Sequence, residues 1–159
     1  MPRKQFPTLI ESYKIFCDGL PTEQQQEVAL VLHTDPEHDT GTNLQVLADA
    51  LCPDYTIIFS CEKLSDEWLN RLYNIADVTI NIAYAEGFGL STLESLASGT
   101  PIIVNNTGGL SEQVGTDSSH GICIEPALRN LTGSKNVPYI YNDMCNSEDV
   151  AAALKLMYN

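Results

Sequence analysis

Apolar and polar positions change period repeatedly along this chain, from helical spacing to strand spacing and back. Between Phe6 and Phe16 the apolar residues Leu9, Ile10, Tyr13, Ile15 and Phe16 recur at helical intervals, and Gly19 stands where such a helix stops. Val28 to His33 reads as a buried strand, Asn43 to Leu51 as a helix through Leu44, Val46, Leu47 and Leu51, and Tyr55 to Phe59 as the next strand. Ser65 is placed to cap a helix running through Ala76, and Val78 to Ile82 is a strand. A glycine turn then opens a helix that Gly99 closes as the residue after its C-cap. Pro101 to Val104 is a strand followed by a second glycine turn and helix; Gly121 to Ile124 is another strand, and Ser147 to Tyr158 a last helix. Strands that alternate with helices in this way predict α/β architecture: a Rossmann-like, doubly wound parallel sheet with helices on both faces.

The chemistry concentrates in the first glycine turn. Glu86-Gly87-Phe88-Gly89-Leu90-Ser91-Thr92-Leu93-Glu94 places two carboxylates with seven residues between them, after a strand and across the start of a helix. Amides at a helix N-terminus lack intrahelical acceptors and carry roughly half a positive charge, so a phosphate can rest on them, and glycine lets it approach closely. The flanking carboxylates can accept hydrogen bonds from hydroxyls, Glu86 from one polyol and Glu94, further along the helix, from another. A sugar and a ribose joined by a diphosphate have that layout. A plainer reading stands beside it: Ser91-x-x-Glu94 also spells a capping box, in which Glu94 only satisfies backbone donors. In doubly wound sheets ligands bind at the carboxyl ends of the strands near the switch in strand order, which is where this loop falls.

The run LYNIADVTINIAYAEGFGLSTLESLASGTPIIVNNTGGLSEQV resembles the C-terminal, donor-binding domain of the retaining, GT-B fold glycosyltransferases called group 1, whose core is an E-x7-E motif. The resemblance extends from Arg3-Lys4 and the Thr8 to Tyr13 segment to about Ala153; it is strongest between Leu72 and Glu112 and weakest from Ala127 to Cys145. It implies that Glu86 contacts hydroxyls of the transferred sugar. The amides of Phe88, Gly89 and Leu90, with Gly87 in the same turn, meet the distal phosphate, Glu94 holds the ribose, and Lys4 neutralises the diphosphate. Leu64, after Cys61-Glu62-Lys63 at the carboxyl end of a strand, is the candidate for stacking on the base. Glu86 and Lys4 are the expected catalytic pair. The family's second diphosphate ligand is an arginine ending an earlier strand that has no counterpart here, and Arg3 is its nearest substitute. The N-terminal acceptor domain has no counterpart either. The expectation is therefore a single nucleotide-sugar-binding domain over 1–159, the C-terminal half of a GT-B enzyme, inactive without its partner domain and lacking the strand that belongs at the centre of its sheet. It would move a sugar from a nucleotide diphosphate donor to an unidentified acceptor with retention of configuration. It needs no metal or other cofactor.

Composition narrows the alternatives. A net charge of −13 with eight basic residues among 159 argues against nucleic acid, which demands clustered Lys and Arg, and makes Arg3-Lys4, the one adjacent basic pair, the natural partner for a diphosphate. No apolar stretch approaches the ~20 residues that span a bilayer, and no signal-peptide pattern opens the chain. The expected location is cytoplasmic, with attachment at a membrane surface left to the absent domain. Cys17, Cys52, Cys61, Cys123 and Cys145 are odd in number and form no C-x-x-C pair, so reduced thiols are expected. His33-Thr34-Asp35-Pro36-Glu37-His38-Asp39 gathers metal-ligand types, yet Pro36 and the acidic run fit a solvated loop better. Two other functions stay open: a non-catalytic nucleotide-sugar-binding module, and an unrelated dinucleotide-binding protein. The latter calls for G-x-G-x-x-G, whereas Thr92 stands at the third glycine position.

Overall fold

The computed structural model describes residues 2–159, which fall into two compact units: residues 2–63 with Ser147–Asn159, and Leu64–Asn146. In the first, a 3-10 turn over Pro2–Lys4 leads into α1 (Phe6–Asp18), followed by α2 (Thr22–Gln25), β1 (Ala29–Leu32), α3 (Leu44–Leu51) and β2 (Thr56–Phe59). The second contains α4 (Asp66–Ile75), β3 (Thr79–Asn81), α5 (Leu90–Ala97), β4 (Ile102–Asn105), α6 (Leu110–Gln113), β5 (Gly121–Ile124), β6 (Leu128–Thr132) and β7 (Ile140–Met144). The last helix, α7 (Ser147–Tyr158), belongs to the first unit.

Local signals explain most boundaries. The Asn43 and Ser65 side chains accept hydrogen bonds from the amides of Val46 and Trp68, capping α3 and α4. Gly19 ends α1, its amide donating to the carbonyls of Ile15 and Phe16, and Gly99 with φ +83 follows the C-cap of α5.

All five strands expected from the sequence are present, and they pair in parallel. β1 lies beside β2, with Ala29 opposite Thr56 and Leu32 opposite Phe59; β3, β4 and β5 pair in that order. In the first unit β1 and β2 form a pair of their own, and in the second β4 lies between β3 and β5. In the first unit Leu30 and Leu32 are buried with Leu9, Ile10, Tyr13 and Phe16 of α1, Ala48 of α3 and Val150 and Leu154 of α7, while Val31 and Ile58 on the opposite face are exposed. Phe16 meets Tyr158 of α7 edge-on at 5.6 Å. Burial pushes the Cys17 thiol up to about 11, so it stays protonated in the core, and none of the five cysteines forms a disulfide. In the second unit Ile102 and Val104 of β4 pack with Leu110 and Val114 around a fully buried centre.

The antiparallel hairpin of β6 and β7 is a finding that the hydrophobic pattern does not predict. All of β6 and the first two residues of β7 are exposed, so no buried apolar face marks the alternation in the sequence. It is tied down at Asp143, which is 3% exposed: the amide donates to the Tyr84 carbonyl and the carboxylate accepts two bonds from Arg129. The Arg129 guanidinium holds the Asp143 carboxyl below the usual carboxylate range. A carboxyl depressed in the folded state stabilises the fold above its unfolded pKa, ~3.9, and that contribution disappears as pH falls through the lower folded value. Denaturant midpoints measured from pH 7 to pH 2 are expected to fall most steeply below about pH 4. Arg129→Met should flatten that part of the curve; an unchanged slope would show that the pair does not couple to folding.

Candidate functional site

The candidate site is assembled where β3 gives way to α5. Beyond Asn81 the chain buries Ile82 and Ala83, half-buries Tyr84, Ala85 and Glu86, exposes Gly87 and Phe88, and buries Gly89 at the head of α5. Gly89 has φ +85, in the left-handed region, and a Cβ there would lie 2.5 Å from Leu110 Cδ2 and 2.8 Å from Thr92 Oγ1, so no other residue fits without displacement. Because Gly89 occupies the N-cap position, no side chain caps α5. Ser91 lies inside the first turn instead of before it, and the capping box that its spacing with Glu94 offered is not formed. The first amides of α5 are thus left for an external acceptor.

The loop is held from behind by groups whose role the sequence does not announce. The Gly109 amide donates to the carbonyls of Glu86 and Gly87, at 3.3 and 3.1 Å. Gly108, at φ +51, comes so close that a Cβ would sit 1.9 Å from the Glu86 carbonyl oxygen. The second glycine turn is therefore a backbone-to-backbone clamp on the first. Gln113 Nε2 donates to the carbonyls of Phe88 and Gly89, and Thr92 Oγ1 donates to the latter as well. Upstream, Asn105 Nδ2 joins the carbonyls of Ala83 and Asp143, at 2.9 and 2.7 Å. These bonds fix the carbonyl side of the loop to the protein.

Glu94 lies on the exposed part of α5, and its Oε2 accepts a 3.0 Å hydrogen bond from Tyr73 Oη on α4. Burial, and then the bond to Glu94, pushes the Tyr73 phenol far above its ordinary range, so it is a hydroxyl donor at any physiological pH. Basic side chains are scarce in this unit. Arg71 pairs with Glu67 and lies over Trp68, and Arg129 pairs with Asp143, which leaves Lys135 as the remaining cation there. Backbone amides are consequently the main positive feature of the loop.

Of the residues singled out from the sequence, Glu86, Gly87, Phe88, Gly89, Leu90 and Glu94 come together on this one turn and helix. Leu64 is half-buried and begins the same unit, just before α4. Arg3, exposed, and Lys4, half-buried, lie on the 3-10 turn of the other unit. His33 Nδ1 is 3.0 Å from Ser60 Oγ, His38 bonds Thr40, and among the described residues no three His, Cys, Asp or Glu side chains gather as a metal site. Among those residues no helix is long and apolar enough to cross a membrane.

A family described as glycosyl transferases group 1 matches residues 1–132. The MMP alpha-(1->4)-mannosyltransferase of Mycolicibacterium hassiacum is 34% identical over 108 residues, 68% of this chain and 25% of that protein. The D-inositol 3-phosphate glycosyltransferase of Corynebacterium jeikeium is 34% identical over 94 residues, 57% of this chain and 22% of that protein. The chain thus spans a quarter or less of the length of these relatives. Among solved structures, the C-terminal domain of a glycosyl transferase group 1 family protein from Francisella tularensis shares the fold at TM-score 0.71 and 20% identity, covering 99% of this chain and 70% of that one. A trehalose-6-phosphate protein from E. coli, bound with UDP-2-fluoro glucose, superposes at the same TM-score with 14% identity over 99% of this chain and 34% of that one.

Proposed function

This chain belongs to the group 1 glycosyl transferases, and on that premise we propose that it is the donor-binding half of a retaining enzyme that transfers a sugar from a nucleotide diphosphate to an acceptor. The observation that carries the proposal is the uncapped start of α5, opened by left-handed Gly89 and bracketed by Glu86 and Glu94. The diphosphate rests on the amides of Phe88, Gly89 and Leu90, with Gly87 leaving room for its approach. Glu86 accepts hydrogen bonds from hydroxyls of the transferred sugar, Glu94 from those of the ribose, and Leu64 lies against the base. Lys4, with Arg3 beside it, is assigned to the diphosphate on the strength of the sequence resemblance.

As the bond from the anomeric carbon to the phosphate breaks, negative charge grows on the leaving diphosphate and positive charge on the sugar. Donors fixed in place before the reaction stabilise that charge without reorganising, and one such donor is worth roughly 3 to 4 kcal/mol. The clamped loop suits this requirement, because contacts from Gly108, Gly109 and Gln113 within the protein restrain it. Lys4 adds charge on the leaving group, and the anionic Glu86 orients the sugar and favours its cationic character. Glu86 and Glu94 are not the paired carboxylates of a glycoside hydrolase, which flank a single bond with no phosphate site between them. No metal ion is required by this scheme.

The test is a comparison of ligands. Glu86→Gln is expected to leave affinity for a free nucleoside diphosphate within about twofold and to weaken binding of the nucleotide-sugar by roughly tenfold, the scale of one hydrogen bond to a charged group. Calorimetric titration with UDP-, GDP- and ADP-sugars reads both constants. Mannose- and glucose-bearing donors both belong in the panel, since the names of similar proteins include mannosyltransferases and one structure of the same fold is bound with UDP-2-fluoro glucose. Equal losses for diphosphate and nucleotide-sugar would refute the role of Glu86. Binding of NAD in place of any nucleotide-sugar would refute the reading as a whole.

A further inference from the structure

We propose that Tyr73 is a positioning residue for nucleotide recognition: its phenol aims the Glu94 carboxylate, leaving the other oxygen to meet the ribose hydroxyls. The inference rests on the donor-binding reading given above. Tyr73 is in the last turn of α4, and Oη donates to Glu94 Oε2 at 3.0 Å across the seam between α4 and α5. Among the described residues Oε1 has no hydrogen-bond partner, and a carboxylate offers about four acceptor positions in all. A vicinal diol can therefore be met without displacing the tyrosine.

The tyrosine is itself held firmly. Its carbonyl accepts a 2.7 Å bond from Thr100 Oγ1, and one turn earlier on the same helix Asn70 Oδ1 accepts from Ser98 Oγ. Ser98 Oγ also lies 3.0 Å from the Glu94 carbonyl, so the backbone bearing Glu94 is tied to the same seam. An exposed glutamate on a helix has several accessible rotamers, and ordering one of them on binding subtracts from affinity. The bond to Tyr73 imposes that order before ligand arrives. At an exposed seam such a bond adds little to folding, so its consequence is the direction of the carboxylate.

A purely structural tie and a positioning role predict different results. Wild type, Tyr73→Phe, Glu94→Gln and the double variant are titrated with the nucleoside diphosphate that binds best among UDP, GDP and ADP, and with its 2′,3′-dideoxy counterpart. In wild type the ribose form is expected to bind at least tenfold tighter, the scale of hydrogen bonds to a charged group. Tyr73→Phe should shrink that preference about three- to tenfold while leaving affinity for the dideoxy form and the melting temperature nearly unchanged. In Glu94→Gln most of the preference should be gone, and adding Tyr73→Phe should then change nothing more, as expected for two residues that act through one contact. Equal losses for both ligands in Tyr73→Phe, or no loss for either, would overturn the inference and leave the donor-binding reading standing. A wild-type chain that binds no nucleoside diphosphate, or binds the dideoxy form equally well, would overturn that reading and the inference with it.

Discussion

Gly108→Ala is expected to lower the unfolding free energy by roughly 3 kcal/mol and to abolish nucleotide-sugar binding in the same step. At φ +51 an L side chain costs about 1 to 2 kcal/mol before any contact is considered. The added Cβ would also fall 1.9 Å from the Glu86 carbonyl oxygen. Since that atom belongs to backbone, it cannot swing aside as a side chain would, and overpacking of this kind costs roughly 1 to 3 kcal/mol. Relief comes only by separating the two glycine turns, which breaks the bonds from the Gly109 amide to Glu86 and Gly87 and releases the amides proposed to hold the diphosphate. Gly87→Ala is the matched control: a Cβ there meets nothing within 4 Å, so stability should stay within about 0.5 kcal/mol. Denaturant melts and titration with a nucleotide-sugar measure both quantities. A Gly108→Ala chain as stable as wild type would show that the clamp yields easily and does not define the loop.

What the sequence made legible was whatever depends on neighbours along the chain. The apolar run Ile102 to Val104 lies wholly inside, and alternation with amphipathic helices announces a parallel sheet because both its faces require cover. Gly19, Gly99, Asn43 and Ser65 mark helix ends through their own backbone and side-chain chemistry. The placement of the candidate site was legible to the same degree: Glu86 to Glu94 occupies one turn and the helix that follows. Contacts distant in sequence were not legible. Gly108 and Gly109 read as a second loop, and nothing in their order says that they press against Glu86, some twenty residues earlier. Gln113 belongs to no motif, yet its amide holds two carbonyls 24 and 25 residues away. The hairpin at 128–144 lacks a buried face, and burial is what makes strand alternation visible.

The start of α5 shows how a single residue decides between two readings of the same motif. For Ser91 and Glu94 to form a capping box, Ser91 would adopt extended backbone just before the helix. Gly89 reaches a conformation that serine adopts at a cost, and the helix accordingly begins two residues sooner. Glu94 is thereby released from capping, and its carboxylate meets the Tyr73 hydroxyl.

That release separates the effects expected for Glu94→Ala. The side chain is exposed and neither caps the helix nor fills the core, so its loss should cost at most about 1 kcal/mol of stability, the net worth of one hydrogen bond. Binding should suffer far more. A carboxylate meeting two ribose hydroxyls makes charge-assisted bonds worth about 1.5 to 3 kcal/mol each. Affinity for nucleotide-sugar and free diphosphate alike should fall by roughly 2 to 4 kcal/mol, or about 30- to 1,000-fold, because the ribose is common to both. Glu86→Gln, by contrast, affects only the ligand that carries the sugar, so the two glutamates are told apart by their ligand profiles. Ser91→Ala supplies the remaining control. A true N-cap serine would lose about 1 kcal/mol on truncation, whereas a serine within the first turn, as here, should lose less than about 0.5. If Glu94→Ala instead lowers the melting temperature by several degrees and spares affinity, the glutamate is a structural residue, and the ribose must be held elsewhere.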